Sequence, residues 1–225
     1  MSGAPAARAL IFDFNGTLSD DEDIMELVTA EALAPHARPP THEEYVERLA
    51  GLSDEAMVRE WLGDRDDVDE IVAARIDGYC RRMSDGATIT AEMREVVRWA
   101  ASVAPVAIVS GAARAEIQPV IEAAEIADLF LTVVTSDDLE HGKPHPEGYL
   151  IALERLRDRL PDLAAGDVAV MEDTEAGVLA AKAAGMRCLA LIGTMPAERL
   201  AAADELIERI DLGLVRRLLG FRPPA

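Results

Sequence analysis

A chain of 225 residues, half of them apolar, is long enough for one large domain or for a core with a modest insertion. Its 42 acidic residues against 22 basic ones give a net charge of −20, which argues against nucleic-acid and anionic-membrane partners, since both need basic patches. No stretch reaches the roughly 18 uninterrupted apolar residues of a membrane span, Met1 to Ala7 lacks the apolar run of a signal peptide, and the two cysteines, Cys80 and Cys188, lie far apart, so a cytoplasmic, reducing setting is expected.

In chain order, the first apolar run is Ala9–Phe12, continuous and of strand length. From residue 20 to 89 no strand pattern occurs. Helical periodicity instead covers Glu22–Leu33, 41–49, 54–61 and 67–83, punctuated by Pro35, Pro39, Pro40 and Gly63. Thr41 with Glu44 three residues on forms a capping-box pattern. A helix at 92–101 then leads to a second apolar run, Val106–Val109. Helix 112–124, a run at 129–134, helix 146–160, a run at 168–171, helix 175–184 ending at Gly185, and a run at 188–192 complete the alternation. Continuous apolar strands alternating with helices predict a doubly wound α/β fold with a parallel sheet. The helical stretch after the first strand is an insertion large enough to be a small domain. The expected division is a core of 1–19 and 90–225 and an all-helical cap of 20–89. Trp61 and Trp99 fall on helices and are expected to pack in the core or between domains.

In an open parallel sheet, ligands gather at the carboxyl ends of the strands. The residues following the first four runs are Asp13 with Asn15, Gly16 and Thr17; Ser110-Gly111; Lys143 within Gly142-Lys143-Pro144; and Glu172-Asp173. Each has a plain structural reading: a turn residue, an N-cap, a solvated lysine, a favourable helix-dipole charge. Four such groups at four strand ends instead assemble carboxylates, a hydroxyl and one ammonium, a set suited to a metal and a phosphate. Lys143 and Lys182 are the only lysines in the chain.

These segments resemble the four motifs of the haloacid dehalogenase (HAD) superfamily, in its phosphoglycolate-phosphatase and β-phosphoglucomutase branch with a helical cap. Phe12-Asp13-Phe14-Asn15-Gly16-Thr17-Leu18 resembles the first, Ile108-Val109-Ser110-Gly111 the second, Gly142-Lys143-Pro144-His145-Pro146 the third, and Glu172-Asp173-Thr174-Glu175-Ala176-Gly177 the fourth. The resemblance implies that Asp13 is a nucleophile forming an aspartyl-phosphate. It implies that Asp13, the Asn15 backbone carbonyl and Asp173 hold Mg²⁺, with Glu172 as a ligand or just behind the ligands. It further implies that Ser110, the Gly111 amide and Lys143 bind the phosphoryl group, with Gly16 and Thr17 completing the phosphate pocket. The expected substrate is a small phosphorylated metabolite. Substrate choice in such proteins lies mainly in the cap, where the Gly51-Leu52-Ser53-Asp54 turn is flanked by Arg48 and Arg59, which read either as ordinary surface arginines of the cap helices, the more frequent case for either alone, or as groups that greet an anion.

One position departs from the pattern. Residue 15 is Asn where hydrolytic members carry the Asp that protonates the leaving oxygen and then activates water. An amide has no titratable proton near neutral pH, and losing a general acid/base costs about 10²–10⁴-fold. Three readings are open: a phosphatase with slow turnover or another base, drawn from Asp20, Asp21, Glu22 or His141; a phosphatase of activated substrates such as acyl phosphates; or a catalytically impaired protein that binds a phosphorylated ligand or partner. Phosphonate cleavage is disfavoured because 20–89 contains no lysine, dehalogenation because Glu172-Asp173 keeps a metal-binding look, and mutase activity because it needs proton transfer at position 15. Of the four histidines, His36 and His42 read as surface residues, and no pair among them and His141 and His145 has metal-ligand spacing.

Overall fold

The computed structural model describes residues 5–221. The outermost ends of the two expected core segments, 1–4 and 222–225, lie outside the described residues. Six strands form one sheet in the order β3-β2-β1-β4-β5-β6, with every neighbouring pair parallel. They are β1 (Ala9–Phe12), β2 (Val106–Val109), β3 (Thr132–Val134), β4 (Val168–Glu172), β5 (Arg187–Leu191) and β6 (Glu205–Ile207). Every residue of β1, β2 and β4 is buried, as a sheet covered on both faces requires. Ile11 faces Ala107 on one side and Val170 on the other, so β1 is the central strand.

The chain lays down β1, β2 and β3 in one direction and then returns to the other side of β1 for β4, β5 and β6. The strand order therefore reverses between β1 and β4, and their carboxyl ends flank the crevice where such sheets bind ligands.

The insertion contains α1 (Glu22–Leu33), α2 (His42–Arg48), α3 (Asp54–Leu62) and α4 (Val68–Met83). The Thr41–Glu44 capping box starts α2 as expected. The core adds α5 (Ala91–Val103), α6 (Arg114–Ala123), α7 (Glu147–Leu156), α8 (Glu175–Ala183) and α9 (Leu212–Leu218). Two cationic groups join insertion to core. Arg75 of α4 is buried between Asp54 of α3 (3.0 Å) and Glu116 of α6 (2.7 Å). Arg199, after β5, donates to the α2 carbonyls of Val46 (2.9 Å) and Glu47 (3.2 Å).

Several boundaries differ from those expected. The apolar run 129–134 yields strand only from Thr132, because Ala127–Leu129 form a 3₁₀ turn that brings the chain to the sheet. α6 begins at Arg114 rather than 112, since 110–113 are spent turning away from β2. α7 ends at Leu156 rather than 160. β6 and α9 were not anticipated: three residues with one buried side chain carry too little pattern for a strand. Trp61 is partly buried on the insertion surface beneath Arg38 and Arg48, 5.5 and 5.0 Å from its ring centroid. Trp99 packs edge-on against Phe221 and under Arg216.

Candidate active site

β1 carries its chain into the crevice and ends at Phe12, so Asp13 is the first side chain beyond the sheet. It is almost wholly buried. The Lys143 ammonium lies 2.5 Å from Asp13 Oδ1 and 2.5 Å from Glu172 Oε1, distances at which charge-assisted bonds are strong. Burial opposes the charge on Lys143, but the two carboxylates more than offset it and raise its pKa.

Glu172 is the last residue of β4 and Asp173 follows it, both fully buried. Glu172 Oε1 also accepts from Tyr149 (2.5 Å), and Oε2 accepts from the amides of Asp173 and Thr174 and from the Thr174 hydroxyl at 3.2–3.4 Å. Gly177, in the first turn of α8, leaves room for this carboxylate, because a Cβ there would overlap it. Asp173 accepts from Thr17 (3.1 Å) and Thr194 (2.6 Å). Gly16, at φ +70°, is required beside it both by the left-handed backbone and by the space the Asp173 carboxylate takes.

One oxygen from each of Asp13, Glu172 and Asp173 lies within 4.8 Å of the others. Three buried carboxylates therefore crowd together with one ammonium, which is bonded to Asp13 and Glu172 but not to Asp173. The surplus negative charge shows in the acids themselves: burial and then mutual repulsion push Asp173 well above the usual carboxylate range, and burial pushes Asp13 up despite Lys143. A hard divalent cation would relieve this crowding, and the oxygen donors fit one.

Asn15 faces the same cavity, and its amide is tied from behind. Asn15 Nδ2 donates to Asp21 Oδ2 (3.0 Å), the Gly16 amide donates to Asp21 Oδ1 (3.2 Å), and the Tyr79 hydroxyl donates to Oδ2 (2.5 Å). Burial pushes the Asp21 carboxyl up to about 6, against those three donors. With Nδ2 committed, the remaining polar atom of the Asn15 side chain is Oδ1, an acceptor.

The structure brings Asp13, Asn15, Ser110, Gly111 and Lys143 together around one cavity. Gly16 and Thr17 stand behind it, bonded to Asp21 and Asp173. Ser110 is buried and its Oγ accepts from the Ala112 amide (3.1 Å) in the turn before α6. Of the four replacement bases considered, Asp20 lies outside the cavity, Asp21 is held beneath Asn15, and His141 is exposed and bound to Glu147 (3.2 Å); Glu22 lines the cavity. Of the two readings of Arg48 and Arg59, the structure takes the surface one, and neither lines the cavity. They pair at the surface with Glu60 (2.7 Å) and Glu55 (2.7 Å), where long flexible side chains find carboxylates without desolvation. His141 and His145 do approach one another, with rings 4.8 Å apart and Nδ1 atoms turned to Glu147. That half-buried carboxylate also accepts from the amides of Glu140 and His141, so the group holds the loop carrying Lys143.

Four contributors escaped sequence reasoning. Thr194 follows the fifth strand, so extending the strand-end rule by one strand finds it. Tyr149, Tyr79 and the partner role of Asp21 depend on helix packing and leave no local signal.

The profile of the haloacid dehalogenase-like hydrolase family matches residues 10–191. Validoxylamine A 7'-phosphate phosphatase of Streptomyces hygroscopicus subsp. limoneus is 29% identical over 214 residues, covering 93% of this chain and 96% of the relative. A phosphoglycolate phosphatase of Yersinia pseudotuberculosis is 25% identical over 193 residues, covering 83% and 81%. The fold is shared with CbbY of Rhodobacter sphaeroides in complex with phosphate (TM-score 0.77, 22% identity, 90% and 94% covered). It is shared also with β-phosphoglucomutase of Clostridium difficile (TM-score 0.80, 16% identity, 95% and 97% covered). Motif residues gathered at the ends of β1, β2 and β4, a family match over most of the chain and phosphatases among its full-length relatives establish that this chain belongs to the haloacid dehalogenase-like hydrolase family.

Proposed function

We propose that this chain is a cytoplasmic, Mg²⁺-dependent phosphatase of a small phosphomonoester, working through an aspartyl-phosphate on Asp13, with turnover restricted by Asn15. The observation that carries this reading is the buried cluster of Asp13, Glu172 and Asp173 at the switch point of the sheet, with the Lys143 ammonium bonded to the first two. Asp13, Asp173 and the Asn15 backbone carbonyl would hold the ion, while Glu172, whose oxygens already accept five hydrogen bonds, anchors Lys143 and adds to the anionic surroundings. When bound, Mg²⁺ screens the repulsion between the Asp13 carboxylate and the phosphoryl oxygens.

Asp13 Oδ attacks phosphorus as the bond to the leaving oxygen breaks. Lys143, Ser110 and the Gly111 amide hold the phosphoryl oxygens and take up developing charge. The leaving oxygen needs a proton, and the water that later attacks the aspartyl-phosphate must lose one. Asn15 can orient either partner through Oδ1 but exchanges no proton with it. Both steps are therefore slowed, the second more than the first when the leaving group is good. The helical segment 20–89 acts as the cap of a core formed by 1–19 and 90–225, and its Gly51-Leu52-Ser53 turn already rests on Thr174, Gly111 and Gly142.

The test is steady-state hydrolysis of p-nitrophenyl phosphate and acetyl phosphate with Mg²⁺, by the native chain and Asp13→Ala. Turnover that disappears in the variant and on chelation is expected. Turnover that survives both rejects the mechanism. Binding of phosphate esters without turnover favours the second reading, a catalytically impaired binder, which the capture of Asn15 by Asp21 also favours.

A further inference from the structure

We infer that the substrate's leaving group is an uncharged or amine-bearing alcohol, not one carrying a carboxylate or a second phosphate, and that Glu22 and Asp54 set this preference. The inference rests on the phosphatase reading for the phosphate end of the cavity, and concerns the opposite end.

The two ends differ in charge. At the phosphate end, Lys143 is the cavity's one cationic side chain among the described residues, and it is already bonded to Asp13 and Glu172. Under the insertion helices the wall is made by the apolar side chains of Met25, Leu49 and Met57, by Tyr45, and by two carboxyl groups, Glu22 and Asp54. Among the described residues, no Arg, Lys or His of the insertion lines it. Arg75 stands behind Asp54, is 1% exposed, and is spent on Asp54 and Glu116. Two carboxyl groups share that one guanidinium, so it leaves no positive charge free for a ligand. Arg48 and Arg59 face outward and pair with acids of their own.

An anionic leaving group entering here would lose its hydration and find no counter-charge, the arrangement that makes buried charge costly. The resident acids respond to the same environment. Burial first, then neighbouring carboxylates, push Glu22 up to about 8; burial pushes Asp54 up to about 7 despite Arg75. A medium that protonates its own carboxyls also disfavours a ligand's. Hydroxyl groups meet no such penalty, because Glu22, which has no hydrogen-bond partner among the described residues, offers both an acceptor and, when protonated, a donor. An amine gains more: its positive charge ionises a neighbouring carboxyl and pairs with it.

The experiment separates this inference from the phosphatase reading by measuring binding and turnover independently. Calorimetric affinities are taken with full-length Asp13→Asn and Mg²⁺ for glucose phosphate, glucosamine phosphate, phosphoglycolate and fructose bisphosphate. Values of kcat/KM for the same four come from the native chain, with p-nitrophenyl phosphate as the reference for chemistry. The sugar and amino-sugar esters are expected to bind on the order of tenfold or more tighter than the carboxylate and bisphosphate esters. Glu22→Arg is expected to reverse the order, and Glu22→Gln to remove the amine's advantage over the neutral sugar while the variant keeps its native melting transition. The preference seen in binding without any turnover supports the ligand class and rejects the phosphatase reading. Equal or tighter binding of the two anionic esters, or no binding of any ester, overturns the inference.

Discussion

Replacing Asn15 by Asp returns a proton carrier to the leaving-oxygen side of the site, but it also sets one carboxyl against another. Asn15 Nδ2 lies 3.0 Å from Asp21 Oδ2. Two unit charges at that separation repel by about 5 kcal/mol at an effective dielectric near 20. The pair therefore keeps one proton at neutral pH and titrates as a unit. That proton serves the leaving oxygen, yet it hinders the second step, in which a base must take a proton from water. The exchange variant, Asn15→Asp with Asp21→Asn, keeps the hydrogen bond with donor and acceptor traded and leaves one carboxyl. Its turnover of a sugar phosphate with Mg²⁺ should exceed the native value by about 10²–10⁴-fold, the usual worth of a general acid/base. The single variant should gain less. Steady-state kinetics beside thermal melts decide the matter: a folded exchange variant with no gain on any ester would refute the reasoning that Asn15 limits turnover.

Lys143→Met strands Asp13 and Glu172 in a buried site without their shared cation, and should cost about 3–5 kcal/mol in urea unfolding. Added Mg²⁺ should restore part of that loss. Gly177→Ala forces a methyl group into the Glu172 carboxylate and should destabilise by at least about 3 kcal/mol, whereas Gly166→Ala, with open space around it, should leave the urea midpoint nearly unchanged. Asp21 gives a pH signature in chelator. Its folded pKa of about 6 exceeds the ordinary value near 3.9, so the folded state binds more protons between the two. Its contribution is fully present below about pH 4 and falls by about 3 kcal/mol as pH rises through 6. Asp21→Asn should flatten that slope in the unfolding free energy, and an unchanged slope would show that Asp21 is not its source.

The sheet and its crevice were legible because continuous apolar runs as dense as Val106–Val109 have few alternatives to a buried parallel strand. The strand-end rule then located Asp13, Ser110 and Asp173 without any knowledge of distance. The features it missed lie in two classes. β6 has three residues and one buried side chain, so its place at the sheet edge is dictated by β5 and not by its own pattern. Tyr149 and Tyr79 reach the site from helix interiors, where an aromatic reads as core until its hydroxyl is seen against a carboxylate. The surface reading of Arg48 and Arg59 holds, but their partners, Glu60 on the next helix and Glu55 one turn back, could not be chosen from the sequence among so many acids.

Asp13 as the nucleophile, with Asn15 slowing hydrolysis of the aspartyl-phosphate, is the central claim. It is tested most directly by mixing the protein with Mg²⁺ and acetyl phosphate, quenching in acid, and mapping phosphoryl groups by peptide mass spectrometry. A phosphoryl group is expected on the peptide holding Asp13, abundant in the native chain, reduced in the exchange variant and absent from Asp13→Asn. No phosphorylated Asp13, or label that persists in Asp13→Asn, would contradict the claim.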